Sequence, residues 1–162
     1  MSDPFDHLTV EPFDRSPSDG LKAQFANVLA DFGALVKQKL TLDGDGTATF
    51  TVDDEVIANL QYLDNADTVV VFAPVGAFGG TDAPVAGEKA LALLRLCELG
   101  GPAEGFTLAL DADADLVLAM DRRGAAELSS VDSLAAWVDA LVRVVRAVRD
   151  HFAENFPAGE EA

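Results

Sequence analysis

The segment from Leu42 to Gly76 constrains the fold most, because its hydrophobic runs are separated by acidic turns and predict three consecutive β-strands. In the first run, Ala48, Phe50 and Val52 alternate with threonines, the period-two pattern of a strand with one buried face. The second run alternates less cleanly. The third is uninterrupted and apolar, so we expect a fully buried strand that Pro74 closes. The short connections favour a three-stranded antiparallel meander.

Helical patterns flank this segment, and they predict an α+β domain. One begins at Ser18 or Asp19, whose side chains suit a helix N-terminus. Its apolar residues recur at helical spacing: Leu21, Phe25, Val28, Phe32, Leu35 and Val36. Two more helices are predicted at residues 84–99 and 131–156, with a β-hairpin between them. The predicted order is therefore α-β-β-β-α-β-β-α, an antiparallel twisted sheet packed with three helices.

Length and charge limit the organisation and the partners of the chain. With 162 residues and 49% hydrophobic content, it can bury one sizeable core and not two. We expect a flexible N-terminal arm at residues 1–17, one domain at 18–156 and an acidic tail at 157–162. The net charge of −17 would repel the phosphates of nucleic acids and anionic lipids, so nucleic-acid binding is disfavoured.

Cysteine use and the N-terminal sequence predict a cytoplasmic location. The single cysteine, Cys97, excludes an intramolecular disulfide, which fits a reducing compartment. The sequence MSDPFDHLTV lacks the basic and apolar regions of a signal peptide. No apolar run approaches the length of about 18 residues that a membrane span needs, so we expect no membrane insertion.

The predicted second helix, residues 84–99, is apolar on two sides and predicts self-association. One stripe comprises Ala86, Ala90, Leu93, Leu94 and Cys97, and roughly opposite it lie Val85, Ala92, Leu96 and Leu99. A helix that is apolar on two sides is expected to be covered on both. A domain of this size has few further elements that could cover the second side. A second copy of the chain would supply that layer, so a homodimer is expected.

Motifs that would indicate catalysis or a bound ion are weak. The run from Asp43 to Gly46 superficially resembles the start of a calcium loop, but Thr47 and Ala48 stand where a further oxygen ligand and a glycine are needed. A plain turn is the better interpretation. No serine, histidine or cysteine arrangement indicates a catalytic centre, and no glycine motif indicates a phosphate cradle. We therefore expect no enzyme activity, no metal and no cofactor.

Over about Leu21 to Val148, the chain resembles the class I type III secretion chaperones, also called the Tir chaperone or CesT-like family. The resemblance lies in the element order, the acidity and a set of local marks. These marks are Leu42-Asp43-Gly44-Asp45-Gly46, Phe50 and Val52, Asp53-Asp54-Glu55, Ala73-Pro74-Val75-Gly76 and Leu108-Ala109-Leu110-Asp111.

The resemblance implies a cytosolic homodimer that binds the N-terminal segment of a secreted effector protein and keeps it extended, soluble and ready for secretion. It implies dimerisation through the second helix and fourth strand, where we expect Val85, Ala92, Leu96, Leu99 and Leu108 at the interface. The effector would lie in apolar grooves beside the first helix and the sheet, with strand addition as one mode of binding. Our candidates for contact with the effector are Phe25, Phe32, Phe50 and Val71.

Two other functions remain open at this point. One is a protein-interaction or regulatory domain of the same fold with a client outside secretion, such as a kinase or a transcription factor. The other is an α+β domain that binds a small ligand, which would need a polar cluster inside a pocket. A deep polar cavity would favour the second, and broad apolar grooves on a dimer would favour a protein-binding function.

Overall fold

The computed structural model describes residues 19–157. The order of its main elements is the predicted one, with one short 3-10 helix added before the last α-helix. The helices are α1 (Asp19–Leu35), α2 (Ala86–Leu96) and α3 (Val131–Asn155), and the 3-10 helix spans Ala125–Leu128. The strands are β1 (Thr47–Val52), β2 (Val56–Leu63), β3 (Thr68–Ala77), β4 (Thr107–Asp111) and β5 (Leu116–Gly124).

The described strands form one antiparallel sheet in the order β1-β2-β3-β5-β4. The predicted meander of β1, β2 and β3 is confirmed, and the predicted hairpin β4–β5 joins it through pairing of β3 with β5. Strands β1 and β4 therefore form the two edges. An edge strand presents unpaired backbone groups to any further strand that approaches, so the occupancy of these two edges bears on function.

Helices α1 and α3 cover one face of the sheet and enclose the core. Phe25 and Phe32 of α1 pack their rings against Tyr62 and Phe50 of the sheet, at centroid distances of 5.8 and 5.5 Å. Trp137 of α3 is fully buried and places its indole N–H 2.8 Å from a carboxylate oxygen of Asp121. The polar atom of this largest core side chain is thereby satisfied.

Two predictions about β3 are wrong. Pro74 was expected to close the strand, but β3 continues to Ala77 and shifts its register between Pro74 and Gly76. Pairing with β2 ends at Phe72, so Pro74, which lacks an N–H, lies where β3 pairs only with β5. The strand was also expected to be buried on both faces, whereas Val70 and Phe72 are half-exposed on the face away from α1 and α3.

Helix α2 is shorter than predicted, and helix α3 matches its prediction to within one residue. The helix ends at Leu96, and the backbone N–H groups of Cys97 and Glu98 bond to the carbonyls of Leu94 and Arg95 in tighter turns. Gly100, with a φ of 75°, lies in the turns that follow. Ser130 caps α3, since its hydroxyl accepts a hydrogen bond from the backbone N–H of Ser133. The predicted arm at 1–17 and all of the tail after Pro157 lie outside the described residues, so these domain bounds stay predictions.

Candidate functional site

The C-terminal half of α1 and the segment that follows it form a shallow apolar groove of about 400 Å³. Three small helix residues on one stripe leave the space open, and Leu40, which packs into the core, supplies part of the floor. We call this surface the α1 groove. It is lined by Ala30, Gly33, Ala34, Lys37, Gln38, Lys39, Leu40 and Thr41.

Gly33 makes the α1 groove possible, because the chain doubles back onto the helix at this residue. The backbone N–H of Gln38 donates to the Gly33 carbonyl at 2.8 Å, and Lys37 adopts a positive φ of 57° in between. A Cβ on Gly33 would lie 2.5 Å from the Gln38 carbonyl oxygen and 3.1 Å from the side chain of Leu40. The close approach therefore requires glycine, which explains a residue that otherwise weakens a helix.

Gln38 and Asp43 fasten this segment to the outer edge of strand β1. The Gln38 amide donates to the Thr51 carbonyl at 2.7 Å and accepts from the Thr51 N–H at 3.3 Å. The Asp43 carboxylate accepts from the Thr47 N–H at 2.9 Å, and the Asp43 N–H donates to the Thr47 carbonyl at 2.9 Å. Alternate residues of a strand point their backbone groups to the same side, so Thr49, between these clamps, is the position left for a further strand.

Two cations stand at the rim of the α1 groove. Lys37 and Lys39 are exposed and form no ion pair with any other described residue. By contrast, most described arginines have a carboxylate partner, such as Arg143 with Glu104 at 3.2 Å. In a chain with a net charge of −17, the α1 groove is thus a local site of positive charge beside an apolar floor.

The four residues that were expected to contact an effector lie in the core of the described chain. Phe25, Phe32, Phe50 and Val71 are all buried, and the three rings contact other core aromatics. An effector would reach them only if α1 moved away from the sheet. Contact between these residues and an effector stays a prediction, and the surface that α1 does offer is the α1 groove.

Helix α2 and strand β4 carry a second apolar surface, which we call the α2 face. Leu94 and Leu91 of α2 are 70% and 48% exposed, and Leu110 of β4 is also exposed. A cleft of about 240 Å³ runs between α2 and β4. The α2 face comprises Ala90, Leu91, Leu94, Cys97, Leu108 and Leu110.

The predicted interface residues are divided by the structure. Val85 and Leu99 are exposed, and Ala92 and Leu108 are half-buried. Leu96 was placed on the side opposite Leu93, and this is wrong: Leu96 is 5% exposed and packs into the same core as Leu93. A spacing of three residues puts two side chains on one face of a helix. Participation of all five residues in a dimer stays a prediction.

Acidic turns in the sheet are closed by their own side chains. The Asp43 carboxylate accepts backbone hydrogen bonds from Asp45 and Thr47, both at 2.9 Å. Between residues 19 and 157, no polar or charged side chain is buried and no cluster of metal-ligating residues occurs. In the same range, no helix combines the length and apolar character that crossing a membrane requires.

A family comparison decides the classification. The model of the Tir chaperone protein (CesT) family matches residues 27–149. The chain belongs to this family. The match spans α1 from Asn27 through most of α3, and so includes both the α1 groove and the α2 face.

Solved structures with the same fold include a chaperone–effector complex and a type III secretion chaperone. The HopA1–SchA chaperone–effector complex is 21% identical with a TM-score of 0.63, covering 83% of this chain and 99% of that chain. The ExsC–ExsE complex is 18% identical with a TM-score of 0.63, covering 80% and 94%. The Yersinia pestis type III secretion chaperone SycH, in complex with a YscM2 fragment, is 18% identical with a TM-score of 0.57, covering 76% and 98%. No curated protein sequence shows a significant match.

Proposed function

We propose that this protein is a cytoplasmic type III secretion chaperone that binds the N-terminal segment of a secreted effector as a homodimer. The observation that carries the proposal is the match of a chaperone family over residues 27–149. The HopA1–SchA chaperone–effector complex, which has the same fold, supports an effector protein as the client. The function is binding, and we assign no catalytic step to it.

The α2 face supports the homodimer. Burying a leucine side chain completely contributes at most about 1.5–3 kcal/mol, and Leu91 and Leu94 from two chains make four such side chains. Their combined contribution is comparable with the cost of association, about 4–15 kcal/mol. Two leucines per chain therefore do not suffice alone, and the half-buried and exposed leucines of β4, Leu108 and Leu110, are needed as well.

The α1 groove supports binding of an extended segment. It is shallow and mostly apolar, and it lies beside an edge strand, so it suits a peptide side chain rather than a folded domain. The clamps of Gln38 and Asp43 leave little of the β1 edge for strand addition. We therefore expect insertion of a side chain into the α1 groove to be the main mode of binding. Backbone pairing would be confined to the neighbourhood of Thr49.

Affinity capture tests the proposal. The tagged full-length chain is expressed in its native organism under conditions that induce secretion, and the proteins that copurify are identified by mass spectrometry. We expect a secreted protein, and we expect a version of it without its N-terminal segment to be lost from the purification. Capture that persists without that segment, or a client that is never secreted, would contradict the proposal.

A further inference from the structure

The first 18 residues contain a repeated acidic motif that the domain fold does not account for. Asp3-Pro4-Phe5-Asp6 and Glu11-Pro12-Phe13-Asp14 both read acid, proline, phenylalanine, aspartate. Each copy puts one large apolar side chain between carboxylates. A ligand of this kind needs an apolar recess with cations at its rim.

The α1 groove has this chemistry. Its floor is formed by small helix residues and Leu40, and its rim carries Lys37 and Lys39, which form no ion pair with any residue in the range 19–157. A phenylalanine ring on the floor would be removed from water, and flanking carboxylates would face the two ammonium groups.

Chain length selects between the two motifs. From Asp19 to Gly33, α1 rises by roughly 21 Å at about 1.5 Å per residue. Phe13 precedes Asp19 by six residues, which span at most roughly 22 Å when fully extended at about 3.6 Å per residue. This leaves no chain length for the turn that the chain needs to run back along α1. Phe5 precedes it by fourteen residues and reaches roughly 50 Å on the same scale. The first motif can therefore occupy the α1 groove without strain.

We propose that the motif Asp3–Asp6 docks in the α1 groove of its own chain, with Phe5 on the apolar floor and the carboxylates of Asp3 and Asp6 facing Lys37 and Lys39. The groove would then be occupied before an effector arrives, and the effector would have to displace the arm. An arm docked in about nine molecules of ten would weaken the apparent affinity for the effector about tenfold. This consequence rests on the proposed function, whereas the docking itself does not.

Paramagnetic relaxation in the full-length chain tests the docking without any effector. A Cys97→Ser, Ser2→Cys variant carries a nitroxide label at position 2, and backbone amide signals are recorded in the labelled and reduced states. We expect selective broadening of the amides of residues 33–41, and loss of that broadening when Phe5→Ser is added. Phe13→Ser is the matched control, and we expect it to leave the broadening in place.

Charge variants and isotope mixing complete the test. We expect the combined Lys37→Glu and Lys39→Glu change to abolish the broadening, and Arg122→Glu, on the other face of the sheet, to preserve it. Loss of broadening with Arg122→Glu or with Phe13→Ser alone would overturn the proposal, as would no broadening of residues 33–41 in the parent. Broadening seen only between a labelled chain and a separate isotope-enriched chain would also overturn it, because the occupant would then be a second copy.

Discussion

Gln38 illustrates how one side chain shapes a binding surface. Its two hydrogen bonds to Thr51 hold the segment after α1 against β1 and occupy backbone groups that an edge strand would otherwise present. Both the wall of the α1 groove and the short open stretch of the β1 edge depend on this amide. Sequence periodicity gives no indication of it, because a glutamine between two lysines is typical of any solvated loop.

We expect Gln38→Ala to lower the free energy of unfolding by about 1–3 kcal/mol, since it removes two half-buried hydrogen bonds. Chemical denaturation measures this change. Gln24→Ala is the matched control, because Gln24 is exposed on helix α1. We expect this substitution to leave the free energy of unfolding nearly unchanged. Equal effects of the two substitutions would argue against the clamp.

Tyr62 is the only tyrosine of the chain, so its ionisation can be followed directly by ultraviolet absorbance. Burial raises the pKa of the Tyr62 phenol well above its ordinary value, and the hydrogen bond to Asp67, 2.8 Å long, raises this pKa further. The folded protein therefore retains the phenol proton at pH values where the unfolded chain loses it. The stabilising contribution is complete below about pH 10 and is lost as the pH rises above that value.

In an absorbance titration, we expect no phenolate signal near pH 10 while the protein stays folded, and we expect the free energy of unfolding to fall above that pH. Tyr62→Phe should remove this pH dependence, although it also removes the hydrogen bond to Asp67. A folded protein whose tyrosine titrates at its ordinary value would contradict the assignment.

At the scale of elements, α2 shows what hydrophobic periodicity can and cannot predict. It predicted a helix with apolar side chains on two sides, because that property depends only on composition and spacing. It did not predict which stripe faces inward, because Leu94 and Leu96 are equally apolar and only packing against the domain distinguishes them. The same limit applies to Phe25 and Phe32, whose spacing fits both a core and a groove.

The order of the main elements was predictable for a related reason. Alternation, caps and turn residues are local, as Ser130 at the start of α3 illustrates. The α1 groove was not predictable, because it forms where α1 has small side chains. These residues, Ala30, Gly33 and Ala34, contribute little to any hydrophobic pattern. The close approach at Gly33 is a long-range property that one glycine in a helical run does not reveal.

Substitutions on α2 separate the interface from the core. Leu94 is mostly exposed, so we expect Leu94→Asp to yield a folded monomer with the mass of one chain by light scattering. Leu96 is buried, so we expect Leu96→Asp to unfold the domain, with loss of the cooperative thermal transition by circular dichroism. A Leu94→Asp protein that remains a dimer would remove the α2 face from the interface.

Two arginines of α3 contact the sheet differently. Arg149 is partly buried and donates to the Val75 carbonyl at 2.7 Å, and we expect Arg149→Met to lower the free energy of unfolding by about 1.5–3 kcal/mol. Arg146 pairs with Asp53 and Glu55 at the surface, and we expect Arg146→Met to leave stability nearly unchanged. Denaturant titration compares the two. A larger loss in the Arg146 variant would contradict the view that the carbonyl contacts, and not the surface ion pairs, anchor α3.

At the scale of the whole molecule, the two apolar surfaces lie on different elements and serve different roles in our account. The α2 face carries strongly exposed leucines, which suits a second copy of the chain, whereas the α1 groove is shallow and rimmed by lysines, which suits a peptide. Assigning the α2 face to the dimer leaves the α1 groove for a client, which would take the place of the docked arm. The net charge of −17 would keep such a carrier soluble while its client segment is bound.

Amide hydrogen exchange of the captured complex tests the central claim most directly, because it locates the client on the chaperone. We expect binding to add protection at residues 30–41 and near Thr49, and we expect a variant with both Lys37→Glu and Lys39→Glu to lose that protection. The N-terminal segment of the effector should carry the matching protection, with its folded domains unaffected. Protection confined to other surfaces, or to a folded domain of the client, would contradict the account.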